Sequence, residues 1–121
     1  MAARRILVVD DEALVGDTLK GLLTADGYKV EVTTGGSQAL AAFEHGPFDL
    51  VITDYVMPEM NGDQLALEIK TRVRGQKIVL LTGLEEKLNS SHCPYPVELV
   101  MTKPFYLPHL LQAIHNLLGS Q

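Results

Sequence analysis

At 121 residues, 46% of them hydrophobic, the chain is long enough for one packed core and too short for two ordinary domains. Ten Lys plus Arg against fifteen Asp plus Glu leave a net charge of −5, which argues against direct nucleic-acid binding. No apolar stretch nears the roughly 20 residues of a membrane span, no signal-peptide core is visible, and a lone Cys93 excludes an internal disulfide, so one cytoplasmic domain over residues 1–121 is expected.

The first apolar run, Ile6-Leu7-Val8-Val9, reads as a buried strand that delivers Asp10 and Asp11. Val15, Leu19, Leu22 and Leu23 then recur at helical spacing, with Gly27 placed to end the helix. Residues 28–33 alternate apolar with polar as a second strand, and Ser37 is expected to cap a short helix carrying Ala39, Leu40 and Phe43. Gly35-Gly36 reads as a turn, because it lacks the strand-to-helix context of a dinucleotide loop.

Gly46-Pro47 punctuates before a third strand that delivers Asp54. Met57-Pro58 and Asn61-Gly62 mark the loop that follows, with both Met57 and Met60 as loop packing, and Leu65, Ile69 and Val73 build the next helix. A fourth strand over residues 77–81 delivers Thr82, and a fifth over 97–102 delivers Lys103. Between them, residues 89–96 carry Asn-Ser-Ser and two prolines, so the helix due there is expected to be short or irregular. Leu107, Leu110, Leu111, Ile114, Leu117 and Leu118 form a clean apolar stripe for the last helix, with Pro108 in its first turn. Strands alternating with helices imply right-handed crossovers and a mainly parallel sheet.

In such a sheet ligands bind at the carboxyl ends of the strands, which is where Asp10, Asp11, Asp54, Thr82 and Lys103 fall. Three carboxylates gathered there repel one another unless a cation offsets them, and Mg2+, a hard cation held by carboxylate and phosphate oxygens, suits that donor set. One carboxylate can then accept a phosphoryl group as an acyl phosphate, and Asp54 stands alone at its strand end for that role. Lys103 offers a positive charge to the phosphoryl oxygens, and Thr82 a hydroxyl. His45, His92, His109 and His115 have no metal-ligand spacing and read as surface histidines.

The segments Leu7-Val8-Val9-Asp10-Asp11-Glu12, Asp54-Tyr55-Val56-Met57-Pro58-Glu59-Met60-Asn61-Gly62, Leu81-Thr82-Gly83 and Thr102-Lys103-Pro104-Phe105 come in order at domain-scale spacing. On them the chain resembles a receiver domain of two-component response regulators, or the receiver part of a hybrid sensor histidine kinase, over nearly its whole length. The resemblance implies a flavodoxin-like, doubly wound sheet of five parallel strands in the order 2-1-3-4-5, with helices on both faces. It implies that Asp54 is phosphorylated from a histidine kinase or phosphotransfer protein. Asp11 would bind Mg2+ directly, Asp10 largely through water, and Val56 through its carbonyl, while Thr82 and Lys103 grip the phosphoryl oxygens. The domain would catalyse only its own phosphorylation and dephosphorylation, and it would signal to a downstream effector or a fused output domain.

Two features depart from the family pattern. Val100 stands where receivers usually carry the Tyr or Phe of the switch that Thr82 drives, and residues 89–96 replace a regular helix. Three other readings stand beside the receiver: an FMN-binding flavodoxin-like protein, a haloacid-dehalogenase-type phosphatase, and a degenerate receiver that only docks. The first needs a phosphate-cradling loop where this chain has Asp10-Asp11-Glu12, and the second needs an acid at Val56. The third lacks none of the site residues.

Overall fold

The computed structural model describes residues 3–83, 97–103 and 106–119. Its elements in chain order are β1 (Arg5–Val9), α1 (Ala13–Ala25), β2 (Lys29–Thr33), α2 (Gly36–Phe43), β3 (Leu50–Asp54), α3 (Gly62–Arg72), β4 (Ile78–Gly83), β5 (Leu99–Lys103) and α4 (Leu107–Leu118). The strands form one sheet in the order β2-β1-β3-β4-β5, and every neighbouring pair is parallel. The expected irregular helix falls on residues 84–96, outside the described residues, as does Cys93.

Why this sheet forms is visible in its burial. All five residues of β3 are buried, and so are all of β4 except Gly83, as strands covered on both faces must be. Successive side chains of β1 then split between two cores. Ile6 and Val8 join Leu19 and Leu23 of α1 and Leu110 and Ile114 of α4 on one face. Leu7 and Val9 join Ala39 of α2 and Leu65 and Ile69 of α3 on the other. The outer strands, β2 and β5, are only partly buried.

The helix ends follow local chemistry, with two departures from expectation. Gly27 takes the left-handed conformation, φ 100°, that stops α1. At α3, Asn61 and Gln64 make a reciprocal capping box. Ser37 does not cap α2; Gly35 holds that position and Ser37 lies exposed inside the helix, which begins two residues earlier than a Ser37 cap implies. Leu22 is also more exposed than its periodicity predicts, at 38%, because α1 turns only Gly16, Leu19 and Leu23 fully inward.

Candidate functional site

Register brings the expected residues to one edge. β1 ends at Val9, opposite Thr53, so Asp10 emerges beside Asp54; Asp54 pairs with Leu81, which places Thr82 one step further on; Gly83 pairs with Lys103. Asp10 and Asp54 are nearly enclosed, at 1% and 7% exposure, whereas Asp11 faces solvent. Carboxylate oxygens of Asp10, Asp11 and Asp54 all lie within 4.8 Å of one another. Among the described residues this is the one such acidic group close enough to share a metal ion.

Each buried carboxylate is held by backbone as well as by Lys103. Asp10 Oδ1 accepts the Glu12 N–H at 2.9 Å, which bends the chain from β1 into α1. Asp54 Oδ1 accepts the Tyr55 N–H at 3.1 Å and the Lys103 ammonium at 2.9 Å. The same ammonium stands 3.7 Å from Asp10 Oδ2, an oxygen that is buried and makes no hydrogen bond. Burial pushes the Asp10 carboxyl above its ordinary range, opposed by the Glu12 N–H and Lys103 and reinforced by the charges of Asp54 and Asp11. Burial likewise raises Asp54, against the hydrogen bond and charge of Lys103. For Lys103 burial works downward, but its bond to Asp54 and the charges of Asp54, Asp10 and Glu12 outweigh it and leave the ammonium more basic than usual. Among the described residues, one ammonium is thus shared between the two buried carboxylates, with the Asp11 carboxylate close by.

The loop after β3 is set by its own bonds. Gly62 donates its N–H to the Tyr55 carbonyl at 2.6 Å, and Met60 to the Pro58 carbonyl at 2.7 Å, with Glu59 at a left-handed φ of 72°. Met57 is buried, as expected of a packing residue, and Val56, two residues after Asp54, is 47% exposed. Thr82 is buried at the end of β4, its hydroxyl 3.5 Å from the Gly83 carbonyl. Val100 lies partly buried on β5, opposite Leu80.

Two contacts are not legible in the sequence. Gly62 carries no sequence signal beyond that of a turn, yet a Cβ there would lie 2.2 Å from the Asp54 carbonyl oxygen. His115 is exposed, as expected of a surface histidine, but its Nε2 lies 2.9 Å from Asp26 Oδ2, joining α4 to the end of α1. That pair is 89 residues apart in sequence, beyond any local pattern. His45 and His109 are exposed, and His92 lies outside the described residues.

Residues 6–115 match the family model of the response regulator receiver domain, and the chain belongs to that family. It is therefore a receiver domain of two-component signalling. It is 34% identical over 117 residues to the response regulator receiver protein CpdR of Brucella abortus, covering 95% of this chain and 97% of that one. It is 31% identical to YbdJ of Bacillus subtilis, an uncharacterized transcriptional regulatory protein, covering 98% of this chain and 52% of YbdJ. The chain thus spans about half the length of several relatives that it matches. Among solved structures, TrrA of Thermotoga maritima, in complex with Mg2+ and BeF, superposes with a TM-score of 0.86 at 35% identity, over 95% of this chain and 99% of TrrA. TrrA has also been solved in complex with the histidine kinase ThkA. Among the described residues, no helix is long and apolar enough to cross a membrane.

Proposed function

We propose that this receiver accepts a phosphoryl group on Asp54, in a Mg2+-dependent reaction, from a histidine kinase or a phosphotransfer protein. The observation that carries the reading is the cluster of Asp10, Asp11 and Asp54 oxygens with Lys103 Nζ 2.9 Å from Asp54. The donor set fits the metal: it is all oxygen, the buried Asp10 Oδ2 lacks a hydrogen bond, and three carboxylates lie together with one ammonium bridging two of them. Asp10, Asp11, Asp54 and the Val56 carbonyl would hold Mg2+, which supplies charge neutralisation at the phosphoryl oxygens.

The remaining chemistry belongs to the chain. Lys103 and the Tyr55 N–H occupy Asp54 Oδ1 and leave Oδ2 as the attacking oxygen. Oδ2 forms the new O–P bond as the P–N bond to the donor imidazole breaks, with the electron pair leaving on that nitrogen, which takes up a proton. Lys103 follows the negative charge onto the phosphoryl group, and Thr82 turns its hydroxyl to a phosphoryl oxygen. Burial disfavours water at the acyl phosphate. The movement of Thr82 and the β4–β5 edge at Val100 transmits the change to an effector or a fused output domain, and the domain works in the cytoplasm, where its kinase donor is charged.

Similarity to TrrA supports this reading, since that protein was crystallised with Mg2+ and BeF and with its histidine kinase. Incubation with acetyl phosphate and Mg2+ should add one phosphoryl group by intact mass, and Asp54→Asn should abolish it. Full phosphorylation of the Asp54→Asn protein would overturn the assignment. Absence of any added phosphoryl group from acetyl phosphate and from a charged histidine kinase would leave only a docking module.

A further inference from the structure

The edge of the sheet opposite Asp54, where the strands begin, is rich in basic residues, which outnumber Asp26, Asp49 and Glu98 there. Arg4, Arg5, Lys29, Arg72, Arg74 and Lys77 lie at or beside strand starts there, in a chain of net charge −5. Arg5 is engaged: its guanidinium lies 4.7 Å over the Phe48 ring, donates to the Pro47 carbonyl and stands 3.9 Å from Glu31. Among the described residues, Arg4, Lys29, Arg72 and Arg74 meet no carboxylate within 4.0 Å. Such a concentration of unpaired cations in an acidic protein creates a local positive field.

A cleft of about 230 Å³ lies at this edge, and Arg4, Lys77, Phe48 and Gln76 are among the residues that line it. Phe48 and Gln76 are buried, Phe48 packs edge-on against Phe43, and the Gln76 amide donates to the Lys77 carbonyl at 3.2 Å. Arg4 is anchored through its carbonyl, which accepts the Lys29 N–H at 2.9 Å, while its guanidinium makes no hydrogen bond among the described residues. Lys77 donates to the Leu117 carbonyl, which fixes its ammonium in place. The one acid in the lining, Asp49, accepts the Arg5 N–H at 2.8 Å. At Gly75 a Cβ would meet nothing within 4 Å, so the backbone there lies open to the cleft.

We propose that this cleft binds a small phosphate-class anion between Arg4 and Lys77. An arginine fork with a lysine point charge matches the several oxygens and double charge of a phosphate better than it matches a carboxylate. The volume lies below the roughly 300–1,000 Å³ of ordinary small-molecule pockets, which selects inorganic phosphate or a short phosphomonoester over a nucleotide. The site rests on nothing at the Asp54 edge and stands or falls separately from it.

The test is a titration of the Asp54→Asn protein in EDTA with inorganic phosphate, read by backbone amide shifts, with chloride at matched ionic strength as control. O-phosphoserine in a parallel titration separates a monoester ligand from free phosphate by relative affinity. Saturable shifts at Arg74, Gly75, Gln76 and Lys77 are expected, with amides beside Asp10 and Asp54 unmoved. Arg4→Gln should weaken binding about tenfold, the loss of one charge-assisted contact, and Arg4→Lys should recover part of it. The Arg4 side chain makes no hydrogen bond among the described residues, and its backbone bond to Lys29 is kept in Arg4→Gln, so acetyl-phosphate labelling of Asp54 in an otherwise native Arg4→Gln protein should be unchanged. Shifts that fail to saturate, that chloride reproduces, or that survive Arg4→Gln would overturn the proposal.

Discussion

Replacing Gly62 with Ala sets helix propensity directly against tertiary packing. Gly62 is the first residue of α3, where Ala is favoured over Gly by up to about 1 kcal/mol, so a local view predicts a stabilised protein. The fold predicts the reverse. The new Cβ would sit 2.2 Å from the Asp54 carbonyl oxygen, 3.1 Å from its carbon and 2.7 Å from Leu80 Cδ1. Ordinary contact requires a retreat of roughly 1 Å from backbone on one side and from a fully buried leucine on the other. Overpacking of this kind costs about 3 kcal/mol, which leaves a net loss of about 2 kcal/mol after the helix gain. At about 4 °C per kcal/mol for a domain of this size, the melting temperature should fall by about 8 °C. Thermal unfolding followed by circular dichroism in EDTA measures it. Because the displaced atom is the Asp54 carbonyl, labelling by acetyl phosphate should also slow at temperatures where the variant is folded. A melting temperature equal to or above that of the unaltered protein would refute the reasoning.

Three further outcomes follow from the same geometry. Asp10 and Asp54 have folded-state pKa values raised above the ordinary 3.8, so their contribution to stability is full below that value and is lost as pH rises through the folded values. In EDTA at neutral pH, Asp10→Asn should therefore raise the melting temperature, and Mg2+ should raise it for the unaltered protein but much less for the variant; a lower melting temperature for Asp10→Asn in EDTA would contradict this. Val56, two residues after Asp54, is apolar and exposed and cannot orient water, so Val56→Asn should speed loss of the phosphoryl group, followed by intact mass over time. Leu110, fully buried between α4 and the sheet, should cost about 2–5 kcal/mol on replacement by Ala, read as a shifted urea midpoint; a loss under about 1 kcal/mol would show that α4 packs differently.

Much of this molecule is written locally. Strands that are buried on both faces must be apolar throughout, so β1, β3 and β4 stand out as short runs, and α4 stands out by its leucine stripe. Because each run stops on a polar group, Asp10, Asp54, Thr82 and Lys103 could be assigned to one edge once the strands were taken as parallel. The distances are another matter. That Lys103 reaches Asp54 at 2.9 Å, and that Asp10 Oδ2 is buried without a hydrogen bond, depends on register between strands up to 93 residues apart in the chain, from Asp10 to Lys103. Gly62 reads as a turn residue in any local window, and its requirement for a missing Cβ exists only because the Asp54 carbonyl folds against it. Ser37 shows the converse: a good capping side chain is not used, because the helix already begins at Gly36, with Gly35, two residues earlier, in the cap position. The His115–Asp26 contact and the basic cleft at the far edge join segments that no periodicity links. Sequence alone determined where the apolar runs lie and which residues carry charge, because those follow from side-chain chemistry and spacing. Tertiary structure decided which charges meet, because that depends on how the sheet and the two helix layers close around one another.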